Sequence, residues 1–275
     1  MTPALRRRLS DALMRRSAPG GGVALTRPRQ MPPGGSAQAT AGPLAGTIRR
    51  LTRRAGGGRS LREGRMRDDV REFKRALILK AAAELFFTQG YARTRLDDLA
   101  VRLQMSKASI YDHFSGKAEI LSTICAASVD ASLDVVRRVA GAGLDPVAQI
   151  GAVAHGFTGV VIDNHQQIAI HAREFAHLPE AGQERIIATQ RAFDALLVEM
   201  LEAGRAAGRL TVADPRVTAL ALAGMIIWVH NWYRPDGRLT RARIAEGMVR
   251  NALAMVGAEA EAGAVLERLR FSGLV

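Results

Sequence analysis

Lys107, Ser109, Tyr111 and His113 would set a cation and three hydrogen-bonding side chains on the outer face of one short helix, inside the run TRLDDLAVRLQMSKASIYDHF at positions 94–114. A helix that reads DNA needs that mixture: polar side chains near its start reach base edges, and flanking groups bind phosphate oxygens. The run divides into two short helices. Thr94 is the candidate cap of the first, whose apolar face is Leu96, Leu99, Ala100 and Leu103. The break falls at Gln104-Met105. Ser106 offers a second cap, and residues 107–114 form the second helix with Ile110 and Phe114 facing inward. A small amphipathic hairpin within some α-helical core would show the same pattern, so the flanking segments have to decide.

Upstream, KRALILKAAAELFFTQGY at 74–91 reads as an apolar helix closed by Gly90, and downstream GKAEIL at 116–121 opens another. Residues 71–121 together resemble the DNA-binding domain of TetR-family regulators. The likeness rests on the A-A-x-x-L-F-x-x-x-G-Y block, the L-A pair, the S-K-A-S-I-Y-D-H-F helix and the G-K that follows. Leu99 stands where isoleucine is commoner in that family, and Gln104 where a glycine often makes the turn. The resemblance implies a three-helix head containing a helix-turn-helix. It supports Lys107 and Ser109 as base-contacting residues, with Tyr91, Thr94, Ser106, Tyr111, His113 and Lys117 anchoring phosphates.

Charge is divided sharply along the chain. Its net +13 lies within residues 1–67, where fifteen arginines face only Asp11 and Glu63, and residues 68–275 balance 24 basic against 24 acidic side chains. DNA affinity of the body therefore has to come from a local grouping: Arg93, Arg95, Arg102, Lys107 and Lys117. Residues 1–67 also hold six of the ten prolines, with glycine triplets at 20–22 and 56–58. Such a composition buries too little apolar area to offset the entropy of ordering, and predicts a disordered basic tail. The tail suits an arm that tracks phosphates or enters a minor groove, a solvated extension of no specific role, a leader read from an upstream start codon, or a transit peptide. No apolar run reaches membrane-spanning length.

From Ala118 onward helix follows helix. Ile120, Leu121, Ile124, Val129 and Leu133 line the one that leaves the head. Asp145-Pro146 and Asp214-Pro215 each set a capping carboxylate before a first-turn proline, Gly208 closes a helix over about 183–207, and Thr240 caps the last major one. The expected fold is all-α: the tail (1–67), the head (68–121), a helical effector-binding and dimerisation domain (122–260) and a C-terminal segment (261–275).

Aromatic residues are scarce except in WVHNWYRPDGRLT at 228–240, which holds both tryptophans. Trp228 and Trp232, four apart, share a helix face and read equally as large core or interface residues. The stretch is similar to the C-terminal region of TetR-type regulators that respond to acyl-CoA thioesters of lipid catabolism. That likeness implies a small-molecule effector, with candidate pocket residues Phe157, His171, Phe175, Met200, Met225, Trp228 and Trp232, and a homodimer built on helices at about 217–233 and 241–256.

Other chemistry finds little footing. Cys125 is the single cysteine, which removes an intrachain disulfide or a thiolate zinc cluster. His171, Glu174 and His177 recur every three residues but match no zinc signature, and read better as a polar stripe. His155 and His165 are isolated, the glycines near 141–143 follow no strand, and no nucleophile motif occurs. The expectation is a cytoplasmic bacterial protein that is not an enzyme, needs no cofactor or metal, and binds double-stranded DNA at a palindromic operator away from any membrane. It is expected to act as a homodimeric repressor released by an effector, which the resemblance implies is an acyl-CoA. The competing reading is a DNA-coating protein that relies on the basic tail.

Overall fold

The computed structural model describes residues 59–272, with side-chain surroundings for 66–270; the expectation of a disordered tail lies outside these residues up to position 58. Helices and two single 3-10 turns make up the ordered elements, with no strand among the described residues. No described helix is long and apolar enough to cross a membrane.

α1 (Arg59–Gln89) starts ahead of the expected boundary at 68, because once the glycine triplet ends the chain is rich in Arg, Glu, Leu and Met and free of proline. Residues 59–67 therefore belong to this helix and not to the tail. Ile78, Ala82, Leu85 and Phe86 form its buried face. Further upstream, Met66, Val70, Phe73 and Leu77 share a face that stays exposed. Gly90 ends α1 in the left-handed region (φ 89°), a conformation that costs glycine little.

α2 (Leu96–Leu103) and α3 (Lys107–Tyr111) form the two-helix unit. Thr94 does not cap α2. The capping position falls to Arg95, whose amide donates to the Asp98 carboxylate at 2.7 Å, while the Thr94 hydroxyl donates to the Gly90 carbonyl at 2.9 Å. Gln104 makes the turn at φ 53°, the one positive-φ non-glycine described, and Met105 N–H closes it on the Ala100 carbonyl at 3.0 Å. A side chain there costs on the order of 1 kcal/mol, which explains why glycine suits the position. Ser106 caps α3 as expected, accepting from the Ser109 amide at 3.1 Å. α3 is shorter than the expected 107–114, its last turn continuing through the amides of His113 and Phe114, both on the Ile110 carbonyl.

The body comprises α4 (Lys117–Ala140), α5 (Pro146–Asp163), α6 (His165–Glu174), α7 (Glu180–Ala206), α8 (Pro215–Ile227), α9 (Val229–Trp232), α10 (Arg241–Met255) and α11 (Ala262–Ser272). The caps expected at Asp145, Asp214 and Thr240 are present, on the amides of Ala148, of Arg216 and Val217, and of Arg243. α11 joins the body core through Val265, Leu266 and Leu269. It lies close to α5, where a Cβ on Gly151 would collide with Val265 Cγ1.

Two apolar cores result. The body core gathers α5, α7, α8, α10 and α11 around Phe157, Leu197, Leu201, Leu222 and Leu253. The head core gathers Phe86, Leu99, Ile110, Phe114, Ile120 and Leu121, and extends to Ile170 of α6 and Ile186 of α7.

Candidate nucleic-acid interface and effector cavity

The outward face of α3 consists of Lys107, Ala108 and Tyr111, with Asp112 just beyond; Ser109 and His113 are half-buried beside Ile110 and Phe114. A helix turns 3.6 residues per cycle, so positions 107, 108, 111 and 112 share a face, and the alternating set expected from the sequence does not. Lys107 Nζ meets the Asp97 carboxylate at 3.1 Å, with both side chains largely in solvent. Arg93 and Arg95 are exposed beside this unit, whereas Arg102 is engaged with Glu84. The Ser106 hydroxyl is occupied as a cap.

Three expected phosphate anchors turn inward instead. Thr94 is 2% exposed and its hydroxyl is taken by Gly90. Lys117 Nζ donates to the carbonyls of Tyr91 and Thr94 at 2.8 and 2.9 Å and lies 4.2 Å over the Tyr91 ring. Tyr91 is half-buried, edge-on to Phe86 at 5.3 Å, and burial followed by the nearby Glu174 charge raises its phenol above the ordinary value. In this arrangement all three hold the turn between α1 and α2, which fixes where α2 and then α3 begin.

Arg75 has a role that the sequence did not reveal. Its guanidinium donates to the His113 carbonyl at 2.6 Å, stacks 4.0 Å from the Phe114 ring centroid and meets Glu119 at 3.5 Å, so it ties the end of α3 to α1 and α4. Glu119 also accepts from the amide and hydroxyl of Ser115, and these bonds, more than Arg75, hold its carboxyl below the usual range. Only the S-x-x-x-E spacing at 115–119 hinted at this; Arg75 sits too far away in sequence.

Three imidazoles are held below their ordinary value of 6.5, each chiefly by burial, with repulsion from Arg71 and Lys74 added at His113 and from Arg241 at His155. The Nδ1 atoms of His113 and His155 are buried without a partner. The unfolded chain therefore binds protons first, so stability is intact above about pH 6.5 and is lost as pH falls below it. Thermal melts from about pH 7.5 to 5.5 should show a falling Tm, with a shallower slope in His155→Gln; a flat Tm in the parent protein would contradict the burial argument.

The effector residues do not converge. Phe157 lines a small apolar cavity of about 10 Å³ with Ile150, Val153, Leu197, Leu222 and Ile226, enough space for one water. Met200 is buried in the same core and Met225 packs against it, but neither lines the cavity. His171 and Phe175 lie against each other at 5.4 Å, and Phe175 packs on the head core. Trp228 and Trp232 are 62% and 38% exposed and do not line this cavity: Leu222, Ile226 and Val229 fill the inward face and turn the tryptophans out. Of the spaced trio, Glu174 and His177 meet at 3.2 Å while His171 turns to Phe175, and no metal-holding group of His, Cys, Asp and Glu occurs among the described residues. Cys125 is fully buried, and burial pushes its thiol up to about 12.

Comparison with known proteins agrees with this geometry. The model of bacterial regulatory proteins of the tetR family matches residues 78–124, and the Tetracyclin repressor-like C-terminal domain matches residues 143–256. The transcriptional repressor KstR2 of Rhodococcus jostii is 27% identical over 177 residues, covering 63% of this chain and 86% of that protein. A TetR/AcrR-family regulator from Thermobifida fusca is 30% identical with a TM-score of 0.54, over 66% of this chain and 96% of that one. AibR, solved with isovaleryl coenzyme A and operator DNA, is 29% identical with a TM-score of 0.57, over 64% of this chain and 95% of that one. With a helix-turn-helix head, an all-helical body and both halves matched, the chain belongs to the TetR family of DNA-binding transcriptional regulators.

Proposed function

We propose that the protein is a homodimeric repressor that leaves a palindromic operator when a small effector, an acyl-CoA thioester, enters its body. Lys107 faces a base edge, and Tyr111, Arg93 and Arg95 face phosphates. The observation that carries the dimer is an outward apolar stripe. Val217, Leu220 and Trp228 are each 62% exposed and follow one another along α8 to its end, with Trp232 beyond them. Met255, 38% exposed, and the half-buried Met248 continue the apolar surface on α10. An isolated protomer would leave all of this in water, and a two-fold partner would cover it.

The effector class is supported by the likeness to AibR and by the wholly apolar cavity around Phe157. At about 10 Å³ that cavity is closed to an acyl chain, so entry requires α5, α7, α8 or α10 to move apart. The thioester must bind this opened, DNA-incompetent state more tightly than the other, or it shifts nothing.

Fluorescence anisotropy on the protein's own upstream intergenic DNA, at fixed salt, tests the effector. At least one member of an acyl-CoA panel should release the DNA while free CoA does not. Tight binding that no thioester disturbs would discard the effector class and leave the regulator.

A further inference from the structure

α1 runs for 31 residues, yet its buried residues among those described begin only at Ile78. The stretch before that point carries Met66, Val70, Phe73 and Leu77, each between 38% and 64% exposed. Their spacing of four, three and four is that of the apolar seam of a two-stranded coiled coil, and the row covers about 17 Å of helix. Single exposed apolar side chains need no explanation, whereas a continuous row of them marks a surface that binds something. The exposed Lys80 stands at the next seam position and ends the row.

The charges beside the row are sorted by side. Arg67 and Lys74 each follow a seam residue by one and form a basic flank, with Arg71 just behind them. Asp69 precedes Val70 and forms an acidic flank, with Glu72 behind it. When two such helices pair in parallel, the acidic flank of each lies against the basic flank of the other. Asp69 of one copy then comes opposite Lys74 of the second, five positions on. An antiparallel pair would set basic against basic and acidic against acidic. The face is thus complementary to itself, in one orientation. Residues 1–58 fit it less well, because eleven arginines against Asp11 alone would be repelled by the basic flank.

We propose that the exposed row on α1 is a second self-association surface, on which α1 of another copy packs in parallel and joins one dimer to the next. Four seam residues a side are far fewer than the roughly 20–30 residues a side of a stable interface, so the contact is weak alone and acts where dimers are crowded, as on neighbouring DNA sites. That role rests on the dimer proposed through α8 and α10; the α1 contact itself does not.

Cys125 is the single cysteine and is fully buried, so a thiol placed on the row reports alone. Full-length Met66→Cys, oxidised with copper phenanthroline at micromolar concentration, should form a disulfide-linked pair. A parallel seam brings the two copies of position 66 within the roughly 4–7 Å between Cα atoms that a disulfide spans, and an antiparallel one holds them at opposite ends. Phe73→Glu or Asp69→Lys in that background should lower the cross-linked fraction about tenfold. Adding Lys74→Asp to Asp69→Lys should restore it, which a mere loss of folding would not allow. The cross-link should also survive in Leu220→Glu, since it does not use α8. A Leu220→Glu protein that stays dimeric without oxidation would count against the α8 interface and leave the cross-link to decide this one. No cross-link in Met66→Cys, or one indifferent to Phe73→Glu and to the charge swap, would overturn the proposal. A cross-link that forms only after residues 1–58 are removed would overturn it too, and assign the row to the tail.

Discussion

Leu220→Glu and Trp228→Glu should each give a folded monomer whose operator affinity is at least about a hundredfold weaker. Both side chains are 62% exposed in the protomer, so the substitutions cost its own core little. In a two-fold interface each substitution counts twice. Loss of the burial still available to two such side chains is worth about 2–4 kcal/mol, before the cost of placing two carboxylates in an apolar seam. A monomer then holds one half-site instead of two. Light scattering and anisotropy on the same samples check both parts of the expectation. A persistent dimer with unaltered affinity would show that this stripe is not the interface.

Lys107→Ala should produce the second large effect. In the free protein Lys107 is paired only with Asp97, and both are well exposed, so the pair is worth no more than about 1 kcal/mol to the fold. On DNA the ammonium exchanges that carboxylate for a base edge, a contact worth about 1–3 kcal/mol per half-site and hence at least about thirtyfold in the dimer. The loss should fall on the operator far more than on scrambled DNA, and preference at one base position in each half-site should flatten. Arg93→Ala should behave differently, weakening all sequences alike and lowering the salt slope. Equal losses on operator and scrambled DNA for Lys107→Ala would move Lys107 to the phosphate group.

The features legible in the sequence depend on local chemistry. Asp145-Pro146, Asp214-Pro215, Thr240 and Ser106 each cap the helix they precede, because a cap needs only a side-chain oxygen two or three residues before an unsatisfied amide. Ile110 and Phe114 are buried as their spacing required. A grouping of 107, 109, 111 and 113 has a period of two, whereas the helix presents 107, 108, 111 and 112 to solvent. For Trp228 and Trp232 a shared face was evident, but its direction was set by Leu222, Ile226 and Val229, which already fill the inward side.

Long-range polar contacts were the least accessible. Arg75 on the His113 carbonyl, Lys117 on the carbonyls of Tyr91 and Thr94, and Arg173 on those of Phe86 and Phe87 are side-chain bonds to backbone groups far away in sequence. No residue-type pattern marks the acceptor, since every residue has a carbonyl. Lys117 and Thr94 looked like phosphate anchors for that reason. α6 drew notice only through its His and Glu spacing, and its place between the two cores emerges from tertiary packing alone.

A dimer of this chain should read a defined operator through paired α3 helices, and DNA selection from a random library tests this. The full-length protein and a version lacking residues 1–58, which leaves α1 intact, would be run in parallel at fixed salt. Both should recover the same inverted repeat, with half-site centres about 34–36 Å apart along the duplex or a multiple of that. Recovery of no preferred sequence, with binding lost when residues 1–58 are removed, would contradict it and assign the affinity to the arginine-rich tail.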